Sequence, residues 1–110
     1  MNLEIKDNNS IRMVIVKEPR IDMTTSRDFK EKVIANLANL NLSKLIINMH
    51  EVEYCDSSAL GSLVSIYRET KSLQIDLKLC CLQSTIESLM QLAKLDTMLA
   101  IYETEEMALQ

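Results

Sequence analysis

The sequence has almost none of the residues on which several common functions depend. It contains no tryptophan, one phenylalanine and three tyrosines, so it offers no aromatic platform on which bases could stack. Its single glycine, Gly61, excludes the glycine-rich loop that cradles phosphates in nucleotide-binding proteins. Lysine and arginine (12) are outnumbered by aspartate and glutamate (16), which gives a net charge of −4. We therefore expect no nucleic acid partner.

Cysteine and histidine are scarce as well, which argues against a metal site. The three cysteines, Cys55, Cys80 and Cys81, show no Cys-x-x-Cys spacing, and one histidine, His50, cannot complete a familiar zinc set. Neighbouring side chains of a strand point to opposite faces, so we expect Cys80 and Cys81 to be poorly placed to form a disulfide. The sequence therefore predicts no metal, no cofactor, and cysteines that act as small core residues in a reducing cytoplasm.

Long apolar runs are absent too. No stretch of 18 uninterrupted apolar residues could span a membrane, and residues 1–7 lack the apolar segment of a signal peptide. We expect a cytoplasmic protein with no membrane contact. Its 110 residues, 47% of them hydrophobic and 25% charged, fit one globular domain that spans residues 1–110.

The spacing of apolar residues predicts nine elements in the order β-β-α-β-α-β-α-β-α. The predicted strands are 3–6, 11–17, 44–49, 75–82 and 99–102. The first helix is predicted over 25–40, the second begins at 57, the third begins at 83, and the last covers 103–109. Residues 20–23 are predicted to form a connector. Strands separated by single helices indicate an α/β fold with a mixed sheet, in which the first two strands are antiparallel and the remainder largely parallel. The methionines at 23, 49, 90, 98 and 107 fall where apolar packing is expected.

Three capping residues stand together where the central strand gives way to the second helix. Asp56, Ser57 and Ser58 have short side-chain oxygens that accept hydrogen bonds from the unpaired N–H groups of a helix start. They also follow the C-terminal end of a strand, where functional groups gather in sheets of this kind. A plain helix cap is one interpretation. A serine phosphorylation switch is another, since a phosphate adds about −1.5 to −2 charges at an accessible first turn.

A serine nucleophile is a third interpretation, which the surrounding residues do not favour. Serine needs a base, and the only histidine, His50, lies several residues before Ser57 at the same strand exit. Neither Ser57 nor Ser58 stands in a Gly-x-Ser-x-Gly pattern. We therefore expect a protein that is not an enzyme.

The stretch Asp56–Gly61, read after the apolar strand Leu45–Met49, resembles the D-S-[ST]-[GA]-L-G signature of STAS domains. Among these it most resembles the bacterial anti-sigma factor antagonists, and the resemblance covers nearly the whole chain. Three further segments fall in register with the family, namely Arg20-Ile21-Asp22, Tyr67-Arg68 and Leu79-Cys80-Cys81. The chain departs from the family pattern at Pro19, Ala59 and Gln74, where glycine is commoner. These departures concern turns, so they leave the expected fold intact.

The resemblance implies a partner-switching cycle that controls transcription. The unphosphorylated protein would bind an anti-sigma factor that is also a serine kinase, and would thereby release a sigma factor. Phosphorylation of Ser57 would end that binding, and a PP2C-type phosphatase would reset the protein. We expect a monomer or a weak dimer.

The same resemblance implies roles for the residues around Ser57. Asp56 would orient the phosphorylation site, and Ser58 would support it. The expected partner-binding positions are Asp22, Thr24, Thr25, Ala59, Ser62 and Ser65, with Ser62 and Ser65 exposed on the second helix. Two alternatives stay open: a STAS-domain interaction module in another signalling or transport complex, and an enzyme that uses Ser57 as its nucleophile.

Overall fold

Seven strands and four helices make up the structure, a computed structural model that describes residues 1–110. The strands are β1 (Leu3–Asn8), β2 (Ile11–Val16), β3 (Arg20–Ile21), β4 (Lys44–Asn48), β5 (Tyr54–Cys55), β6 (Asp76–Cys80) and β7 (Ala100–Tyr102). The helices are α1 (Ser26–Ile34), α2 (Ser57–Ser72), α3 (Ser84–Leu92) and α4 (Glu105–Leu109). Two 3₁₀ turns, Leu37–Asn39 and Leu95–Thr97, follow α1 and α3.

Five strands form the main sheet in the order β1-β2-β4-β6-β7. Strands β1 and β2 are antiparallel, and every other neighbouring pair is parallel. The predicted α/β fold with a mixed sheet is therefore confirmed. The central strand β4 places Ile47 between Val14 of β2 and Leu79 of β6, and all three side chains are buried.

The two faces of the sheet carry separate apolar clusters. On one face, helices α1, α2 and α3 cover the strands through Phe29, Leu63 and Met90, all of them fully buried. On the other face the short helix α4 covers Ile46 and Cys80 with a single buried residue, Ala108. Strand β4 is therefore buried on both faces, as its continuous apolar run predicted.

Strands β3 and β5 form a second, two-stranded parallel sheet that the sequence did not predict. Its register pairs Arg20 with Tyr54 and Ile21 with Cys55. Strands of two residues are too short to show any periodicity, which is why the first of them was interpreted as part of a connector. This small sheet matters for the site because it brings the segments after Ile21 and after Cys55 side by side.

The first helix is shorter than its apolar pattern predicted. Helix α1 ends at Ile34 rather than at residue 40, because Ala35 leaves the helical conformation with ψ 129° and Asn36 after it is left-handed with φ 68°. Leu37 is still buried, since the following 3₁₀ turn directs it into the same core. Asparagine is one of the few residues with a side chain that adopts this conformation readily.

The methionines divide between core and surface. Met49 and Met90 are buried, as predicted. Met23, Met98 and Met107 are exposed to 79%, 41% and 46%, so their assignment to the core was wrong. Each lies in a loop or on the outer side of a short helix, where a hydrophobic residue type does not by itself decide burial.

Helix α2 ends in a hydrogen-bonded motif whose central residue is Gln74. The Ile75 amide donates to the carbonyl of Thr70 at 2.8 Å, and the Gln74 amide donates to that of Lys71 at 3.1 Å. This arrangement requires a left-handed residue after the helix, and Gln74 has φ 60°. Glycine is the residue type that fits this position without steric cost.

We therefore expect the substitution Gln74→Gly to stabilise the protein by about 1 kcal/mol, because it relieves the contact of Cβ with the backbone in a left-handed conformation. The thermal midpoint should rise by about 4 °C, measured by circular dichroism. The matched control is Arg68→Gly, at an exposed position inside α2, which should destabilise the protein by about 1 kcal/mol. A lower midpoint for both variants would contradict this account of the α2 terminus.

Candidate functional site at the start of helix α2

The carboxylate of Asp56 organises the junction between β5 and α2. As the residue that caps α2, it has extended backbone angles, and its Oδ1 accepts hydrogen bonds from the amides of Ser58 at 3.0 Å and Ala59 at 3.2 Å. The Ser58 hydroxyl donates to the same oxygen. These bonds satisfy amides that have no partner inside the helix, so the predicted cap is present.

The second oxygen of Asp56 reaches across to a different part of the chain. Oδ2 accepts a hydrogen bond from the amide of Met23 at 3.0 Å, which ties the loop after β3 to the start of α2. That loop is held internally as well, because Asp22 Oδ1 accepts from the Thr24 amide at 3.0 Å and from the Thr24 hydroxyl at 2.7 Å. The Asp22 amide donates to the Thr25 hydroxyl at 3.1 Å. The structure thus brings residues 22–25 against residues 56–58.

The two serines of the motif differ in what their hydroxyls do. Ser57 is exposed and is the first residue of α2, and its hydroxyl makes no hydrogen bond within the chain. The Ser58 hydroxyl is half-buried and bound to Asp56. Ser57 is therefore the serine that can accept a group from outside, and the positive end of the α2 dipole favours a negative one there.

Hydrogen bonds hold both carboxylates of the site in their charged form. The pKa of Asp56 is lowered chiefly by the Ser58 hydroxyl, is raised in part by burial, and is lowered further by the amides of Ala59, Met23 and Ser58. The pKa of Asp22 is lowered chiefly by the Thr24 hydroxyl and amide. Both groups are ionised at neutral pH, so a charge added at Ser57 meets the adjacent carboxylate of Asp56, whereas the carboxylate of Asp22 is paired with Arg20 at 3.6 Å.

The lowered pKa of Asp56 predicts a pH dependence of stability. A carboxyl whose pKa falls on folding stabilises the protein above its unfolded pKa, about 3.9, and that contribution is lost as the pH falls through the folded pKa. We expect Asp56→Asn to lower the thermal midpoint at pH 7, and the difference from wild type to shrink towards pH 3. Asp96→Asn, which removes the same charge from an exposed turn, should leave the thermal midpoint unchanged at pH 7 and at pH 3. A pH-independent difference for Asp56→Asn would contradict the assignment.

Two of the expected partner-binding residues are not on the surface. Ala59 is fully buried, and Ser62, which was expected to be exposed on α2, is 6% exposed, so the expected exposure of Ser62 was wrong. The Ser62 hydroxyl donates to the carbonyl of Ser26 at 2.8 Å, across the contact between α2 and α1. Small residues at these positions let the two helices approach closely. Ser65 is half-buried, and its hydroxyl donates to the Gly61 carbonyl one turn earlier at 3.1 Å.

Three exposed residues beside the site were not predicted as part of it. Met23 lies between Asp22 and Thr24, on the loop that Asp56 holds. Arg20 stacks its guanidinium 4.2 Å from the ring centre of Tyr54, which is 42% exposed. The signal that could have revealed Met23 is its position between two turn-forming residues, which is typical of a loop rather than a core.

His50 occupies a different environment. Its Nδ1 lies 2.9 Å from the side-chain oxygen of Asn48, and its Nε2 lies 3.5 Å from a carboxylate oxygen of Glu51. No hydrogen bond joins the ring to Ser57. The imidazole is therefore engaged at the end of β4, and the structure gives the Ser57 hydroxyl no base.

No helix in the structure has both the length and the apolar character needed to cross a membrane.

Known proteins resemble this chain over most of its length. The family model of the STAS domain matches residues 2–108. The TM1081 homolog of Thermotoga neapolitana, whose name places it among anti-sigma factor antagonists, is 24% identical over 98 residues, which cover 89% of this chain and 87% of that protein.

Solved structures share the fold. The crystal structure of an anti-sigma factor antagonist from Mycobacterium paratuberculosis matches with a TM-score of 0.86 and 22% identity, over 98% of this chain and 90% of the other. The Bacillus cell fate determinant SpoIIAA, in its phosphorylated form, matches with a TM-score of 0.73 and 16% identity, over 98% and 96% of the two chains.

Proposed function

Because the chain belongs to the STAS domain family, we propose that it is an anti-sigma factor antagonist, switched by phosphorylation of Ser57. In its unphosphorylated form it binds an anti-sigma factor that is also a serine kinase. The kinase transfers phosphate to Ser57 and the complex dissociates, and a PP2C-type phosphatase, with its own divalent metal, reverses the modification. The protein acts in the cytoplasm of a bacterium, as a monomer or a weak dimer, and has no catalytic activity of its own.

The observation that carries this proposal is the contrast between the two serine hydroxyls. The hydroxyl of Ser57 is exposed and unbound, whereas that of Ser58 is occupied by Asp56. A kinase can phosphorylate the Ser57 hydroxyl without disturbing the fold. To phosphorylate the Ser58 hydroxyl, it would have to break the hydrogen bond to Asp56 in the helix cap. The relative SpoIIAA was solved in its phosphorylated form, which supports the view that this fold accommodates the modification.

Charge explains how the phosphate would act. A phosphoserine carries about −1.5 to −2 charges at neutral pH, and the N-terminus of α2 tolerates them. Asp56 is already ionised beside it, and the one nearby positive charge, Arg20, is paired with Asp22, so the phosphate makes this surface more negative. The effect therefore falls on a partner docked over this junction, through like-charge repulsion and bulk, rather than on the fold.

The surface around Ser57 suits such a partner. Met23, 79% exposed, projects from the loop that Asp56 holds, and Thr24 beside it is exposed too. The stacked pair of Arg20 and Tyr54 lies at the start of the same two-stranded sheet. Methionine, tyrosine and arginine are residue types enriched at protein interfaces, so the surface around Ser57 has the composition of a docking site.

The proposal is tested by phosphorylation of the intact protein. The anti-sigma kinase recovered with the unphosphorylated protein is incubated with it and ATP, and the product is analysed by mass spectrometry. We expect one phosphate, on Ser57, in the wild type and in the control Ser58→Ala, and none in Ser57→Ala. Phosphate on another residue, or none on the wild type, would refute the proposal.

A further inference from the structure

Two adjacent cysteines lie together at the carboxyl edge of the sheet. Cys80 is the last residue of β6 and is fully buried, and Cys81 follows it half-buried. If the strand continued, the two side chains would point to opposite faces. The backbone turns instead, because Cys81 adopts a left-handed conformation with φ 64°. The alternation of side chains along a regular strand therefore does not describe this pair.

Both thiols face the same small cluster under helix α4. Cys80 belongs to the buried group formed with Ile46 and Ala108, and Cys81 and Tyr102 pack against that group. Burial raises the pKa of Cys80, and the neighbouring Cys81 thiol raises it further, so Cys80 stays a neutral thiol. The two thiols are thus neighbours under α4, where the carboxylates of Glu105 and Glu106 also raise the pKa of Cys80.

The backbone holds this pair rigidly. The Cys80 carbonyl accepts a hydrogen bond from the Met49 amide at 3.1 Å, and the Cys81 amide donates to the Tyr102 carbonyl at 3.1 Å. Both bonds join the end of β6 to neighbouring segments, so the backbone at the two cysteines is held in place. Adjacent Cα atoms are about 3.8 Å apart, shorter than the usual span of a disulfide, about 4.4–6.8 Å, so a direct sulfur–sulfur bond would be strained. An atom placed between the sulfurs avoids that strain.

We propose that Cys80 and Cys81 form a vicinal dithiol site for trivalent arsenic compounds. Arsenic(III) is soft and binds sulfur, and it forms stable adducts with paired thiols. With an arsenoxide the reaction forms two As–S bonds and breaks the bonds between arsenic and oxygen. The two thiol protons leave with that oxygen as water, and no electrons are transferred. The half-exposed Cys81 reacts first, and Cys80 closes the ring within the same molecule.

Closure within the molecule distinguishes this pair from an isolated cysteine. Cys55 is buried alone in the main core, and burial raises the pKa of its thiol to about 11, with a further contribution from Asp56. It can offer only one sulfur. A second thiol held beside the first raises the overall affinity by about 100-fold or more over a single one.

Phenylarsine oxide tests the site on the folded full-length protein. We expect one equivalent to bind, measured by intact-mass spectrometry as the mass of the reagent less one water. The adduct should survive a wash with the monothiol 2-mercaptoethanol and be removed by a dithiol such as dimercaptopropanol. Cys55→Ser should bind as the wild type does, and Cys80→Ser and Cys81→Ser should each bind about 100-fold more weakly and lose the reagent to the monothiol.

Three results would overturn the proposal. The first is an adduct that forms only after unfolding in urea, which would show that the folded site is closed to the reagent. The second is an adduct on the wild type that a monothiol removes. The third is unchanged, monothiol-resistant binding in Cys81→Ser with circular dichroism showing that this variant is folded. The test does not involve Ser57, so its outcome is independent of the proposed phosphorylation switch.

Discussion

The substitution Ser57→Asp should lower the affinity for the anti-sigma partner by about 100-fold or more, because it places a fixed negative charge where the phosphate would be added. The new carboxylate would lie beside Asp56, which is ionised at neutral pH. A partner surface that fits the uncharged Ser57 hydroxyl would have to bury this carboxylate, which is costly without a positive partner. Folding should be preserved, since an acidic residue in the first turn of a helix is favourable.

Ser84→Asp is the matched control for this experiment. Ser84 is the first residue of α3 and is exposed, so the substitution adds the same charge at the equivalent position of a different helix. Titration calorimetry should give wild-type affinity for Ser84→Asp and for Ser57→Ala, and greatly weakened binding for Ser57→Asp. Equal affinity of Ser57→Asp and wild type would remove the basis for a charge switch.

Ser62→Asp should destabilise the fold by at least about 4 kcal/mol, because it buries a carboxylate without a positive partner. The Ser62 side chain lies between α2 and α1, where its hydroxyl donates to the Ser26 carbonyl at 2.8 Å. A carboxylate there would face that carbonyl oxygen instead. Domains of this size are stable by only about 5–15 kcal/mol in total, so much of the protein would unfold.

Urea unfolding of three variants would measure this effect. Ser65→Asp adds the same charge to α2 at a half-buried position whose hydroxyl bonds only within its own helix, and should change the free energy of unfolding by about 1 kcal/mol or less. Ser62→Ala, which should fold, removes only the donor to Ser26 and should cost about 1 kcal/mol or more. Equal free energies of unfolding for Ser62→Asp and Ser65→Asp would contradict the burial of Ser62.

Local patterns predicted most of the fold. The alternation in β1, the apolar run of β4 and the helical spacing of α2 depend on residues close in sequence, so the order of the main elements could be predicted. The small sheet of β3 and β5 could not, because it pairs residues 34 positions apart in strands of two residues each. The end of α1 depends on one backbone conformation, at Asn36, that asparagine adopts in some contexts and not in others.

The candidate site divides in the same way. Capping chemistry identified Asp56, Ser57 and Ser58, because it depends only on residue types at a helix start. The orientation of α2 was harder to predict, since several positions on its buried face are small or polar. These positions are Ala59, Ser62 and Thr70. Such residues contribute little hydrophobic signal, so the predicted apolar face was rotated by about one residue and Ser62 was assigned to the outside.

The bond from Asp56 to the Met23 amide has a consequence for how the site is recognised. It joins two segments that are 33 residues apart in sequence into one epitope. A linear peptide that carries only Tyr54–Gly61 contains Ser57, the proposed acceptor, but lacks Met23, Thr24 and the geometry of the helix start. A kinase that binds this junction would therefore recognise the folded protein. We expect it not to modify the same residues in an unfolded or newly made chain.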